Sequence, residues 1–286
     1  MHIQTIGKRG VMFTFDDNIS VYLIAADKRV FLCDSHLGPR SMEAVRQYIR
    51  QHWPDREIVL FNSHADWDHI WGNCAFPGVL IIGHETCRAR IRETGQYDLE
   101  RLADQHRGDI VLVPPNLTFS AELSFPEEEV SFIHAPGHTA DSALCFDRRD
   151  AVLFVGDLVE APLPYLDFLD LASYIKTLEI IKQMPAKIKI SAHSGIVDEG
   201  LIDRNIAYLR AVLLKEPVDT GADETCQHIH RININNLQML QWEHVLRDRQ
   251  GENFHYSALR TAFPDWETMP PAELGSALAN YAARLA

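Results

Sequence analysis

The sequence is poor in cysteine and in basic charge, and it has no long apolar run. Its five cysteines, Cys33, Cys74, Cys87, Cys145 and Cys226, lie far apart, with no CxxC pair among them. An odd, scattered set argues against a disulfide framework or a structural zinc ribbon. Cys33 and Cys145 sit in apolar, strand-like runs and read as packing residues. Lys and Arg number 27 against 40 Asp and Glu, a formal net charge of -13. Without a Lys/Arg stripe, such a surface repels a nucleic acid backbone, and the acidity reads as a solvated exterior. No stretch approaches the ~18 apolar residues of a membrane span. The N-terminal MHIQTIGKRG lacks the apolar stretch of a signal peptide. The expected compartment is therefore a reducing cytoplasm. The chain has no internal repeat, no low-complexity tract and no GxSxG nucleophile elbow.

What is present is a chain of 286 residues, 46% of them apolar, enough for one large domain or a domain with a small appendage. VMFTF, ISVYLIAA and RVFLCD, within residues 11–34, are short and β-branched, with Asp27-Lys28 as a hairpin turn. Pro39 opens a helical stretch in which Met42, Val45 and Ile49 repeat at helical spacing. EIVLFNS and VLIIG follow as strands, then a charged helical segment from about Glu85. After Pro114-Pro115 the pattern is again β through LTFSAELSF, EVSFIHAPG, SALCFDRR and AVLFVGD. LASYIKTLEIIKQM reads as a helix, KIKISA as a strand and DEGLIDRNIAYLRAVLLK as a helix. Two batches of strands, each with helices, predict a layered α/β architecture. Glu216-Pro217 marks the expected boundary between a larger domain over 1–215 and a helical extension over 216–286.

The chemistry concentrates in S-H-A-D-W-D-H, Ser63 to His69, directly after a predicted strand. His64, Asp66, Asp68 and His69 offer imidazole and carboxylate donors that suit zinc, iron or manganese. Four such groups in six positions cannot share one face of a regular element, whereas a loop at a strand end can aim them inward. IHAPGHTADS places His138 after a strand on a Pro-Gly turn, LFVGDLVE ends a strand at Asp157, and KISAHSG ends one at His193. Several strand ends delivering His and Asp to one rim is what a polynuclear metal site requires.

In these motifs the chain resembles the metallo-β-lactamase superfamily, with its HxHxDH motif, PGHT-type histidine, GD aspartate and final histidine. The resemblance spans roughly residues 11–215 and takes in the opening strands and the acidic Asp34 that follows them. It implies a four-layer αβ/βα sandwich and two divalent ions, with zinc foremost. One ion would take His64, Asp66 and His138, the other Asp68, His69 and His193, with Asp157 bridging. It implies a hydrolase working through a metal-bridging hydroxide, with Asp68 holding the hydroxide and taking up its proton. Asp66 departs from the family's usual second histidine. A carboxylate is a harder ligand, and the flavodiiron branch is similar in placing one here and binding iron, so iron or manganese enters as an alternative. The short span from Asp157 to His193 leaves no room for the inserted domain of RNA-cleaving members. The expected substrate is a small-molecule ester, thioester or lactone. Nucleic acid and membrane are not expected partners, and a homodimer is the candidate assembly. The alternatives are an iron-dependent oxidoreductase using the same cage, or a non-catalytic metal- or ligand-binding sensor.

Other residues have two readings. Asp34 is a turn residue or a carboxylate that orients a ligating histidine. Trp67 and Trp71 are core anchors or substrate-facing walls, Trp71 the more core-like. His84 reads as a helix cap rather than a ligand. His228 and His230, in the helical tail without nearby carboxylates, read as non-ligating.

Overall fold

Apolar runs of period two pair into two sheets, and residues of period 3.6 cover them. The computed structural model describes residues 1–285. The first sheet has seven strands in chain order: β1 (His2–Ile6), β2 (Gly10–Thr14), β3 (Ser20–Ala25), β4 (Arg29–Cys33), β5 (Glu57–Phe61), β6 (Leu80–His84) and β7 (Leu117–Phe119). The first four are antiparallel, and β4 to β7 run parallel. Parallel pairs need crossovers. These are α1 (Pro39–His52), the short α2 (Trp67–Ile70) within the β5–β6 connection, and α3 (Glu85–Arg101). The second sheet has six strands in the order β13-β12-β11-β10-β9-β8. They are β8 (Glu122–Phe125), β9 (Val130–His134), β10 (Ala143–Asp147), β11 (Val152–Gly156), β12 (Ile188–Ser191) and β13 (Gly195–Val197). Between β11 and β12, which are parallel, lies α4 (Leu171–Gln183), and α5 (Glu199–Leu214) follows β13.

The inner faces meet in an aromatic core of Tyr22, Phe31, Phe61, Phe132 and Phe154, with Phe61 and Phe132 stacked at 4.4 Å between ring centroids. Met42, Val45 and Ile49 of α1 cover the outer face of the first sheet, as their spacing predicts. Tyr174, Leu178, Ile202 and Leu209 of α4 and α5 cover the other. The layers are therefore αβ/βα, the sandwich that the resemblance implies. The final helices, α6 (Glu224–Gln250), α7 (Tyr256–Ala262) and α8 (Pro271–Arg284), form their own cluster around Met239, Leu246, Leu259 and Leu278. Among the described residues no helix is long and apolar enough to cross a membrane.

Candidate metal centre

Residues from both sheets converge at one edge of the sandwich. His64 and Asp66 occupy the loop after β5, in keeping with a strand-end loop, whereas Asp68 and His69 lie within the four residues of α2. His138 follows β9, Asp157 follows β11 and His193 follows β12. Gly156 makes the turn into Asp157. Its φ is +58°, and a Cβ there would meet Ser63 Oγ at 2.9 Å, so a side chain is excluded by both conformation and space. The two sheets are stitched together at this level, with Ala143 N donating to Ser63 O at 2.8 Å and Ser20 N to Ala192 O at 2.7 Å.

All seven residues that the sequence singles out arrive in one place. Donor atoms of His64, Asp66 and His138 lie within 4.8 Å of one another, as do those of Asp68, His69 and His193, and those of His64, His69 and Asp157. Asp157 Oδ2 stands 3.0 Å from His69 Nε2, 3.1 Å from His193 Nε2 and 3.6 Å from His64 Nε2. Asp66 Oδ2 is 3.2 Å from His138 Nε2 and 3.4 Å from His64 Nε2. These separations match the ~3.4 Å edge of a tetrahedron with metal–ligand bonds of ~2.1 Å.

The rings are held from behind. Asp34, buried and with φ +65°, is not a simple turn residue. It accepts from Ser63 N at 2.7 Å, Ser63 Oγ at 2.7 Å and His69 Nδ1 at 2.9 Å. His64 Nδ1 donates in turn to Ser63 Oγ at 2.9 Å. His138 Nδ1 donates to the carbonyl of Tyr165 at 3.1 Å. Each Nδ1 is thereby committed as a donor, and each Nε2 presents its lone pair to the cluster.

These residues fit a bound cation on the chemistry of the donors. His69 Nε2 and His193 Nε2 face each other at 3.4 Å and both lie within 3.1 Å of Asp157 Oδ2, a convergence of donor atoms that a cation would join. His64 Nε2 and Asp157 Oδ1 are buried without a hydrogen-bond partner, an arrangement that costs about 1–3 kcal/mol per group if left unsatisfied. The titration behaviour points the same way. Burial disfavours charge on His138, yet its hydrogen bond to Asp66 and the Asp66 charge push its pKa up to about 10. Burial likewise opposes charge on His69 and His193, and the charge of Asp157 overrides it, raising both. The centre attracts positive charge in whatever form it comes.

Two residues beyond the sequence reading belong here. Glu160, buried three positions after Asp157, has a carboxylate oxygen within 4.8 Å of donors on Asp157 and His193. The motif GDLVE contained it, but nothing in the motif distinguished it from a surface acid. Arg90 of α3 forms an ion pair from Nη1 to Asp66 Oδ1 at 2.9 Å, and donates from Nη1 to Asp141 at 3.3 Å and from Nη2 to Asp167. No local signal announces Arg90, because its partners are brought to it only by the fold. His84 caps α3 through Thr86 N, as expected. His228 and His230 sit two apart on helix α6, where side chains diverge; His230 Nδ1 lies 3.1 Å from Tyr208 Oη.

Above the cluster opens a cavity of about 560 Å³, within the range of small-molecule sites. The sandwich supplies Trp67, Asp68 and Tyr165, and the final helices supply Asn236, Tyr256 and Trp266. Trp67 is thus a wall, while Trp71 is core, 1% exposed.

Residues 14–193 match the sequence profile of the metallo-beta-lactamase superfamily, and the chain belongs to that superfamily. It is 22% identical over 209 residues to the acyl-coenzyme A thioesterase MBLAC2 of Gallus gallus, covering 65% of this chain and 70% of that one. In three dimensions it is similar to a metallo-beta-lactamase from Pontibacter korlensis, with a TM-score of 0.59 and 19% identity over 73% of this chain and 98% of that one. The family's fold implies divalent-metal binding, and the His/Asp groups described above are where it would occur.

Proposed function

We propose that the chain is a metal-dependent hydrolase acting on a small-molecule ester, thioester or lactone. The observation that carries the reading is the floor of the 560 Å³ cavity, where imidazole Nε2 atoms and carboxylate oxygens from both sheets converge. His64, Asp66 and His138 would hold one divalent ion, Asp68, His69 and His193 a second, and Asp157 would serve both. Such ions, zinc foremost, polarise a carbonyl oxygen and lower the pKa of water from 15.7 to roughly 7. The remaining work falls to the chain. Asp68, its side chain 12% exposed at the cavity floor, would receive the proton from an attacking water. The aromatic walls at Trp67, Tyr165 and Trp266 pack against an acyl or ring substituent and limit water around the reacting carbonyl. The thioesterase activity named for the avian relative supports an acyl-transfer substrate.

A second reading, an iron-dependent oxidoreductase, rests on Asp66. Its extra charge is answered in part by Arg90 at 2.9 Å, a guanidinium that Asp66 shares with Asp141 and Asp167. That partial compensation favours the hydrolase. The experiment is turnover on a panel of esters, thioesters, lactones and phosphodiesters, with metal analysis of the purified protein. Zinc-dependent turnover of one of the first three classes supports the reading. Metal-independent activity, or phosphodiester cleavage alone, overturns it.

A further inference from the structure

The helices after residue 223 reach the metal centre without contributing a donor to it. Two polar chains make the connection, and both run through buried asparagines on α6.

The first starts at Asn233, 1% exposed. Its Oδ1 accepts from Leu166 N at 3.0 Å, and its Nδ2 donates to Pro164 O at 2.8 Å. The residue between those two contacts is Tyr165, whose carbonyl accepts the Nδ1 proton of His138 at 3.1 Å. Asn233 therefore pins the backbone on either side of the group that aims the His138 ring.

The second starts at Arg260 of α7. Its Nε donates to Glu243 at 2.6 Å, and its Nη1 donates to Asn236 Oδ1 at 3.1 Å, which orients that amide. Asn236 Nδ2 donates to Leu166 O and to Asp167 Oδ1, both at 2.9 Å. The other oxygen of Asp167 accepts from Arg90, which forms an ion pair with Asp66 Oδ1 at 2.9 Å. The fork of Arg90 thus links Asp167 to Asp66 and leaves Asp66 Oδ2 for the cluster.

By contrast, His69 and, through Ser63, His64 are fixed by Asp34, and His193 N donates to Ser191 Oγ at 3.3 Å. Those supports lie entirely within the sandwich. We infer that Asn233 and Asn236 are positioning residues that act on one half of the centre, holding His138 and Asp66 while leaving Asp68, His69 and His193 unaffected. The inference rests on the reading of these residues as metal ligands.

The opposing account is that the asparagines merely satisfy polar groups at a helix interface. Asn235 provides the comparison. It lies on the same helix, equally buried, and donates to Trp266 O at 2.7 Å and Met269 O at 2.9 Å, inside the helical cluster itself. Zinc binding by the full chain is measured by equilibrium dialysis and calorimetric titration, alongside thermal denaturation and the visible absorption of the cobalt(II)-loaded protein, which reports ligand geometry. Two ions are expected for the wild type. Asn233→Ala and Asn236→Ala should weaken one of them by about 10- to 100-fold, the range for groups that orient ligands, and change the cobalt spectrum. Asn235→Ala should lower the melting temperature and leave both ions and the spectrum unchanged. Arg90→Lys keeps the charge without the fork and, lying at a half-exposed position, tests the second chain even where an alanine variant fails to fold; it too should weaken one ion alone. Equal weakening of both ions, or wild-type affinities in all of these variants, overturns the inference. A wild type that binds no zinc, iron or manganese overturns the ligand reading itself, and the inference with it.

Discussion

Asp34 and His69 share a 2.9 Å hydrogen bond in which the buried carboxylate fixes the imidazole tautomer. Ser63 N and Ser63 Oγ donate to the same side chain, each at 2.7 Å. Asn is the informative replacement, since it tolerates the left-handed backbone at φ +65°. It offers one acceptor oxygen and adds an amide donor, which then faces another donor. Asp34→Asn is expected to fold and to lose about 10- to 100-fold in metal affinity, measured by zinc titration. Unchanged affinity would show that the bond holds the loop and not the metal site.

Asp66 and Arg90 should behave as a unit. Asp66→His alone leaves the guanidinium, still paired with Asp141 and Asp167, beside a neutral ring and a cation, so zinc affinity should fall, by about 10-fold or more. Adding Arg90→Gln should recover it and tilt competition toward zinc over manganese, because imidazole is the softer donor. Competition dialysis across the four proteins decides. Tighter zinc binding by the single variant than by the wild type would sink the idea of charge compensation.

Asp68→Asn preserves size and removes the proton acceptor at the cavity floor. Turnover at saturating zinc should drop by ~100- to 10,000-fold, the usual value of a positioned base, beyond any loss of bound metal. Full turnover with two ions retained would remove Asp68 from the role of proton acceptor.

His84 predicts a pH effect away from the metal centre. The ring is buried, donates from Nε2 to Ser120 O at 3.1 Å, and stacks on His134 at 3.7 Å. Burial, and then the neighbouring His134, lower its pKa. The folded state therefore binds fewer protons than the unfolded one, whose imidazole titrates near 6.5. Stability from this site is intact above that value and is lost as pH falls through it toward the folded pKa. Urea midpoints from pH 7 to 5 should fall less steeply for His84→Gln than for the wild type. Parallel curves would remove His84 from the acid response.

The candidate ligands were legible because each motif that carries them follows an apolar strand, and a strand end is a place that sequence can mark. The strands missed by pattern are those with little to mark them: His2–Ile6 at a sheet edge, where only Ile6 is buried, and the three residues Gly195–Val197. The split of the main motif between a loop and α2 was also hidden, since four polar-flanked residues carry no helical period. Arg90, Asn233 and Asn236 left no trace in the sequence. Their partners lie far away in the chain, and a buried asparagine or arginine looks like a surface one until the fold surrounds it.

The donor atoms come from both sheets: His64, Asp66, Asp68 and His69 from the first, His138, Asp157 and His193 from the second. An ion held from both sides would be a cross-link between halves of the molecule that are far apart in sequence, and would tie off the chain between them as a disulfide does. In a protein whose cysteines are all unpaired, metal supply would then be a condition of mechanical integrity as well as of chemistry.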